Sequence, residues 1–134
     1  MLGAYFSLRW SVADVVQFIQ DMLFTSKVRE VAKAAGVTVQ SARDPAALVA
    51  SAQGAKLVIV DLRLPRALEA LDALAASAAT RDVAKVGFID HERTDVMDAA
   101  RAKGCTQVMA KGQFANALPR LLASLAGTPP PAAA

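Results

Sequence analysis

Five short apolar runs rich in β-branched residues alternate along this sequence with five longer segments whose apolar residues recur every three or four positions. This alternation is typical of parallel sheets whose strands are joined by right-handed helical crossovers. The apolar runs occupy 15–19, 37–39, 57–60, 86–89 and 107–110, and the helical segments 23–35, 45–53, 66–78, 94–103 and one around 118–125. The sequence therefore predicts a doubly wound α/β domain with helices on both faces of a five-stranded parallel sheet.

Residues that start and end helices support this pattern. Asp44 is placed to cap the second helix, and Pro45 suits its first position. The run 57–60 is apolar throughout, as a strand buried on both faces requires. Pro119 falls early in the last predicted helix, so we expect an irregular first turn there. Glycines follow four of the predicted helices, where a left-handed residue ends a helix favourably: Gly36, Gly54, Gly104 and Gly127.

Length and composition fit one domain and exclude several classes of protein. The 134 residues carry a net charge of +3 without a basic cluster, which disfavours nucleic acid as the main ligand. No apolar run is long enough to span a bilayer, so we expect no membrane insertion. The single cysteine excludes an internal disulfide and favours a cytoplasmic location. We expect a domain at 13–127, an N-terminal extension at 1–12 and a flexible Pro/Ala-rich tail at 128–134.

Polar residues follow most of the predicted strands. Gln20 and Asp21 follow the first strand, Asp61 the third, Asp90 the fourth and Lys111 the fifth. Ligands of open α/β sheets bind beyond the carboxyl ends of the strands. We therefore expect three carboxylates and one ammonium group to converge at a single edge of the sheet.

Two segments carry a resemblance to a known family. The stretches 58–65, with a proline four residues after the aspartate, and 108–111 resemble the third and fifth strands of CheY-like response-regulator receiver domains. The resemblance implies a flavodoxin-like (βα)5 fold with strand order 2-1-3-4-5. It also implies that Asp61 accepts a phosphoryl group from a histidine kinase, that Lys111 pairs with the phosphoryl oxygens, and that Asp21 and Asp61 hold Mg²⁺.

Three positions depart from the family pattern. Gln20 replaces one of the two acids after the first strand, and Gly112 replaces the proline that usually follows the lysine. Asp90 stands where a Ser or Thr binds the phosphoryl group, and its carboxylate would repel that group or pair with Lys111 instead. We interpret the chain as a stand-alone, atypical receiver or pseudo-receiver without enzyme activity. The alternative is a true two-component response regulator phosphorylated on Asp61 with Mg²⁺.

Two further interpretations stay open at this point. Strand ends meet water, so Asp61 could simply cap the following turn. The second interpretation is a flavodoxin-like small-molecule binder, although no glycine-rich loop follows the first strand and no nucleophile–base pair is evident. We expect His91 to be a solvated loop residue and Cys105 a small buried hydrophobe.

The resemblance also implies an interaction surface. In receiver domains the fourth helix, fifth strand and fifth helix often bind a partner protein or a second copy of the domain. Here that face carries both signs of charge, which suits self-complementary pairing: Arg93, Asp95, Asp98, Arg101, Lys103, Gln113, Asn116 and Arg120. The bulky apolar cluster 22–24 is expected to cap the strand-end pocket or to pack on a partner.

Overall fold

The computed structural model describes residues 12–126, so the predictions for the N-terminal extension before Val12, for Gly127 and for the tail lie outside the described part of the chain. Strands and helices alternate without exception: β1 (Val15–Phe18), α1 (Met22–Ala35), β2 (Val39–Ser41), α2 (Pro45–Ala52), β3 (Leu57–Asp61), α3 (Ala67–Ala76), β4 (Ala84–Ile89), α4 (Thr94–Ala102), β5 (Gln107–Ala110) and α5 (Lys111–Ala126). The strands form one parallel sheet in the order β2-β1-β3-β4-β5, which confirms the predicted fold and topology.

The sheet separates two hydrophobic cores. Val58 and Val60 of β3 face the core formed with α2, α3 and α4, whereas Leu57 and Ile59 face the core formed with α1 and α5. All four side chains are buried. The alternating direction of successive strand residues therefore explains why this run is apolar at every position.

The second strand begins later than its apolar residues suggest. The predicted strand covers 37–39, but β2 starts at Val39. Gly36 adopts a left-handed conformation at φ 77°, and the Val37 N–H donates to the Ala32 carbonyl to complete the end of α1. Val37 is thus part of a helix C-cap and cannot join the strand ladder.

The last helix is longer than predicted, and the expectation for Pro119 is wrong. α5 begins at Lys111, so Pro119 lies well inside it rather than in its first turn. Pro119 is exposed, so water can satisfy the carbonyl that loses its partner to the missing N–H. Leu118 and Leu122 are fully buried on the opposite side and hold the helix to the sheet.

The two ends of the described chain meet at the amino edge of the sheet, opposite the strand ends discussed below. The Lys56 ammonium lies 3.5 Å from a carboxylate oxygen of Asp14, just before β1. The same ammonium group donates to the Leu125 carbonyl near the end of α5, at 3.4 Å. Lys56 therefore links the segment that enters the domain to the helix that leaves it.

Candidate functional site

The carboxyl edge of the sheet brings Asp61 and Asp21 towards each other. Asp61 ends β3 and is 2% exposed, while Asp21 precedes α1 and is partly exposed. Gln20 and Asp90 lie at the same edge but are exposed. Within residues 12–126, no ion pair joins Asp90 to Lys111 or to any other residue. The predicted convergence of three carboxylates and a lysine is thus only partly seen.

Arg63 occupies the centre of this site and binds Asp61 through both carboxylate oxygens. The guanidinium Nε donates to Oδ1 at 2.8 Å, and Nη2 donates to Oδ2 at 2.8 Å. The Arg63 backbone N–H also donates to Oδ1, at 3.0 Å. Two parallel charge-assisted hydrogen bonds of this kind are the strongest arrangement available between an arginine and a carboxylate.

The guanidinium group is held by more than Asp61. Its Nη2 lies 3.6 Å from Oδ2 of Asp21, and its Cζ lies 5.8 Å and 5.7 Å from the ring centroids of Phe24 and Phe88. We call Asp61, Asp21, Phe24 and Phe88 together the Arg63 socket. Hydrogen bonding to Asp61, together with the charges of both carboxylates, raises the pKa of Arg63, so the guanidinium stays protonated.

Aromatic stacking fixes the floor of the Arg63 socket. The Phe88 ring stacks on Phe114 of α5 with centroids 4.5 Å apart and planes 10° apart. The Phe24 ring tilts against Phe88 at 5.0 Å. Because Phe88 and Phe114 are fully buried, these rings form a rigid support for the cation above them.

Asp21 has a structural task at the start of α1. Its Oδ1 accepts hydrogen bonds from the backbone N–H groups of Phe24, at 3.2 Å, and Leu23, at 2.9 Å. These bonds, that from Phe24 foremost, hold the pKa of Asp21 below its usual value, and the charges of Arg63 and Lys111 act in the same direction. One oxygen of Asp21 thus caps the helix, while the other faces Arg63.

Lys111 lies close to the site but does not reach Asp61. It is the first residue of α5, and its Nζ lies 5.3 Å from the Phe24 ring centroid. No carboxylate among the described residues forms an ion pair with it. The Lys111 ammonium group therefore packs against the Phe24 ring rather than against a carboxylate.

The sequence analysis missed Arg63, although two signals pointed to it. Arg63 follows Asp61 by two residues in a loop, and the acidic pair is incomplete at Gln20. With one carboxylate fewer, a singly charged guanidinium group suits the site better than a divalent cation does. The socket also depends on Phe24 of α1 and Phe88 of β4. These two residues are far apart in the sequence and come together only when the domain folds.

The predicted interaction residues divide into two groups. Gln113 and Arg120 line a groove of about 500 Å³ between β5 and α5, with Gln107, Met109, Asn116 and Ala117. The residues on α4 and directly beside its ends form ion pairs within the chain: Arg93 with Asp95, Arg101 with Asp98, and Lys103 with Asp72 of α3. Only the first group therefore offers polar side chains next to a concave surface.

The remaining sequence candidates are accounted for locally. His91 is exposed beside Glu92, which confirms it as a solvated loop residue. Cys105 is buried and makes weak contacts to the carbonyls of Lys85 and Gln107. Across residues 12–126, no helix is both long enough and apolar enough to cross a bilayer.

Comparison with known proteins gives structural likeness without close sequence likeness. No protein-family model matches the chain, and no curated protein does. The receiver domain of a sensor histidine kinase from Pseudomonas aeruginosa PAO1 superposes with a TM-score of 0.72 at 18% identity, covering 88% of this chain and 100% of that one. The chemotaxis response regulator CheY4 of Vibrio cholerae gives 0.71 at 18% identity, over 86% and 99%. The receiver domain of NtrX from Brucella abortus gives 0.69 at 18% identity, over 87% and 100%.

These neighbours span the whole domain rather than a fragment of it. This chain covers 99% or more of each of the three. The chain therefore has the fold of response-regulator receiver domains.

Proposed function

We propose that this chain is a receiver-type signalling module that acts by binding other proteins and whose acceptor-like aspartate is not phosphorylated. Receiver domains are modules of two-component signalling rather than enzymes, and the fold supports that general role. The bidentate ion pair between Arg63 and Asp61 carries the finer part of the proposal.

Phosphorylation would require a free carboxylate oxygen on Asp61. That oxygen attacks phosphorus, so it must offer a lone pair towards an incoming phosphodonor. Here three N–H groups of Arg63 donate to the two oxygens, and the side chain of Asp61 is 2% exposed. Each of these contacts lowers the nucleophilicity of the carboxylate, and the burial of Asp61 limits access to it.

The residues of the site do not fit a magnesium ion. Mg²⁺ requires near-octahedral coordination by oxygen atoms. Within residues 12–126, no group of three or more His, Cys, Asp or Glu side chains could hold a metal. Asp61 is bound by Arg63, Asp21 caps α1, and Gln20 contributes no charge. The proposal therefore contains no step through a bound metal.

Arg63 supplies the positive charge that this site needs. Its guanidinium neutralises Asp61 and joins the loop after β3 to the loop after β1, since it contacts Asp21 as well. Because this cation is part of the chain, the link between the two loops does not depend on binding an ion from solution. The module is thus proposed to keep a single binding-competent conformation.

The output surface of the proposal is the groove between β5 and α5. Gln113 and Arg120 line it, and neither takes part in an ion pair within the described chain. β5 is the edge strand of the sheet that residues 12–126 form. A partner protein or a second copy of the domain could use both features.

Phosphodonor labelling tests the proposal. The protein is incubated with phosphoramidate and MgCl₂ and analysed by intact-mass spectrometry beside the Asp61→Asn variant. We expect neither protein to gain a phosphoryl group. Stoichiometric modification of the wild type but not of Asp61→Asn would establish the alternative, a phosphorylated response regulator served by a histidine kinase.

A second pair of variants tests the role of Arg63 itself. Arg63→Gln keeps most of the side-chain volume but removes the charge, so Asp61 should gain some phosphoryl labelling. Arg66→Gln is the matched control, because Arg66 lies in the same loop and forms its ion pair within residues 12–126 with the exposed Glu69. Equal labelling of the wild type and both variants would contradict a blocking role for Arg63.

A further inference from the structure

One buried polar side chain of the sheet is only partly hydrogen-bonded. Gln17 of β1 is 0% exposed, and within residues 12–126 its Oε1 atom has no hydrogen-bond partner. Its Nε2 donates to Oγ of Ser41, the residue beside it on β2, at 3.2 Å. An unpaired polar atom in a core lowers stability, and an aliphatic side chain would avoid that cost. A glutamine at this position therefore indicates a use for its amide group.

Gln17 and Arg29 determine where the hydrogen of the Ser41 hydroxyl points. Arg29 of α1 donates from Nη2 to Oγ of Ser41 at 2.8 Å, in addition to the bond from Gln17. A hydroxyl oxygen has two lone pairs, so these two N–H groups occupy both of them. The Ser41 hydrogen must then donate elsewhere, and no group within residues 12–126 accepts it. Ser41 is thus an oriented donor without an acceptor.

Ser41 lies in the wall of a cavity beside the carboxyl ends of β1 and β2. The cavity has a volume of about 420 Å³, which is enough for a small organic molecule. Arg43 and Thr25 add polar groups to its wall, and Ile19 and Ala42 add apolar ones. None of the described residues that line the cavity is acidic.

Two guanidinium groups beside this cavity lack a carboxylate partner. Arg43 lines the cavity, and Arg29 reaches its wall through the hydrogen bond to Ser41. Neither arginine forms an ion pair within residues 12–126. Residues 1–11 and 127–134 contain no Asp or Glu, so no side chain there can neutralise these charges. An anion that matches them comes from another molecule.

We infer that this cavity binds the phosphate group of a small phosphate monoester. The Ser41 hydroxyl and the guanidinium groups of Arg29 and Arg43 donate to the phosphate oxygens. The apolar wall at Ile19 and Ala42 contacts the organic part of the ligand. A phosphate monoester carries nearly two negative charges at neutral pH, which two guanidinium groups balance, whereas a carboxylate would balance only one of them.

The cavity and the Arg63 socket lie on different sides of β1. This strand runs between β2, which carries Ser41, and β3, which ends at Asp61. The inference therefore requires neither the state of Asp61 nor the groove between β5 and α5. Labelling of Asp61 by a phosphodonor would overturn the proposed function and leave this inference intact.

Titration of the ¹⁵N-labelled full chain with glycerol 3-phosphate tests the inference. Glycerol and NaCl of equal ionic strength are the controls. We expect saturable amide shifts in 39–43 and in the first half of α1 with glycerol 3-phosphate, and none with either control. Acetate should bind at least about tenfold more weakly, since it carries a single charge. Shifts that are absent, that NaCl reproduces or that acetate matches in affinity would overturn the inference.

Substitutions in the cavity identify the contacts. Arg43→Gln and Ser41→Ala should each raise the Kd for glycerol 3-phosphate about tenfold, because each removes a hydrogen bond to a charged group. Arg120→Gln is the matched control. Arg120 is also exposed and forms no ion pair within residues 12–126, but it lies beside β5, at the opposite edge of the sheet. An equal rise of the Kd in Arg120→Gln would show unspecific attraction and overturn the assigned site.

Gln17→Leu separates binding from folding. This variant removes the unpaired buried oxygen, so its Tm should equal or exceed that of the wild type. Its Kd for glycerol 3-phosphate should nevertheless rise several-fold, because Ser41 loses one of the two donors that orient its hydrogen. An unchanged Kd in Gln17→Leu, at any Tm, would contradict the role assigned to Gln17.

Vesicle binding distinguishes a soluble ligand from a lipid. Phosphatidic acid carries the same phosphate monoester at a membrane surface. Co-sedimentation with phosphatidic acid vesicles should show no binding that Arg43→Gln abolishes. Binding that depends on Arg43 would replace the soluble ligand by a lipid headgroup.

Discussion

Among single residues, Cys105 shows how strongly burial controls chemistry in this domain. Its side chain lies in the core beside Gly87 and Leu62, and it is 7% exposed. Burial in these apolar surroundings raises the pKa of the Cys105 thiol to about 11. The thiolate is the reactive form of cysteine, so the folded protein should contain very little of it near neutral pH.

Thiol labelling checks this expectation. In the folded protein at pH 8, we expect Cys105 to react with Ellman's reagent far more slowly than in the urea-unfolded chain. Raising the pH towards 11 should speed the reaction of the folded form, because the thiolate fraction grows as the pH approaches the pKa. Labelling of the folded protein at the rate of the unfolded chain would show that Cys105 is accessible and ionised.

Lys85 is the buried residue that the sequence analysis did not foresee. It is 2% exposed, and its ammonium group donates to the carbonyls of Val83 at 2.7 Å and Arg81 at 2.9 Å. Burial lowers the pKa of Lys85. A lysine next to a predicted strand is usually assigned to the surface. Its burial is tolerated because carbonyls of the turn before β4 accept hydrogen bonds from the ammonium group.

Among the helices and strands, local hydrogen bonds at the termini decide where each element starts and ends. Asp44 was predicted to cap α2, and its Oδ1 accepts the Ala47 N–H at 2.8 Å. The predicted starts of β2 and α5 were wrong, because the use of single backbone N–H groups near these starts was not predicted. Val37 gives its N–H to a helix cap, and Pro119 sits on an exposed face where a missing N–H is tolerated. Propensity does not report such local hydrogen bonding.

The cap at Asp44 gives a prediction for stability. Asp44→Ala should lower the free energy of unfolding by about 1 kcal/mol, because one N–H at the start of α2 loses its partner. Urea denaturation followed by circular dichroism measures the change. Asp44→Asn is the control, since its side-chain carbonyl can still accept the Ala47 N–H. A loss no larger than that of Asp44→Asn would show that the cap adds nothing.

For the molecule as a whole, the poor fit of the Asp61 site to a metal ion predicts how stability responds to magnesium. A ligand that binds the folded state raises its stability by mass action. We therefore expect millimolar MgCl₂ to leave the Tm of the wild type unchanged relative to KCl of equal ionic strength. Arg63→Gln releases Asp61 and Oδ2 of Asp21, while Oδ1 of Asp21 still caps α1, so any rise of Tm with MgCl₂ should occur in this variant alone. A magnesium-dependent rise in the wild type would contradict the poor fit of the site.

The fold as a whole was largely predictable, whereas the site was predictable only in part. Alternating apolar periods determine the order of strands and helices, and the parallel sheet follows from them. The location of Asp61, Asp21 and Lys111 at one edge followed from the same logic. The hydrogen bonds from Arg63 to Asp61 could not be predicted in this way, because a long flexible side chain finds its partners only after distant elements have packed around it.

The link that Lys56 makes between Asp14 and Leu125 has a consequence for modular use of this domain. Both ends of the described chain leave from the edge of the sheet that lies away from the Arg63 socket. Another domain attached at either end, or a host protein carrying this domain as an insertion, would therefore leave the Arg63 socket open. The arrangement suits a domain that is joined to other domains without covering the carboxyl edge of its sheet.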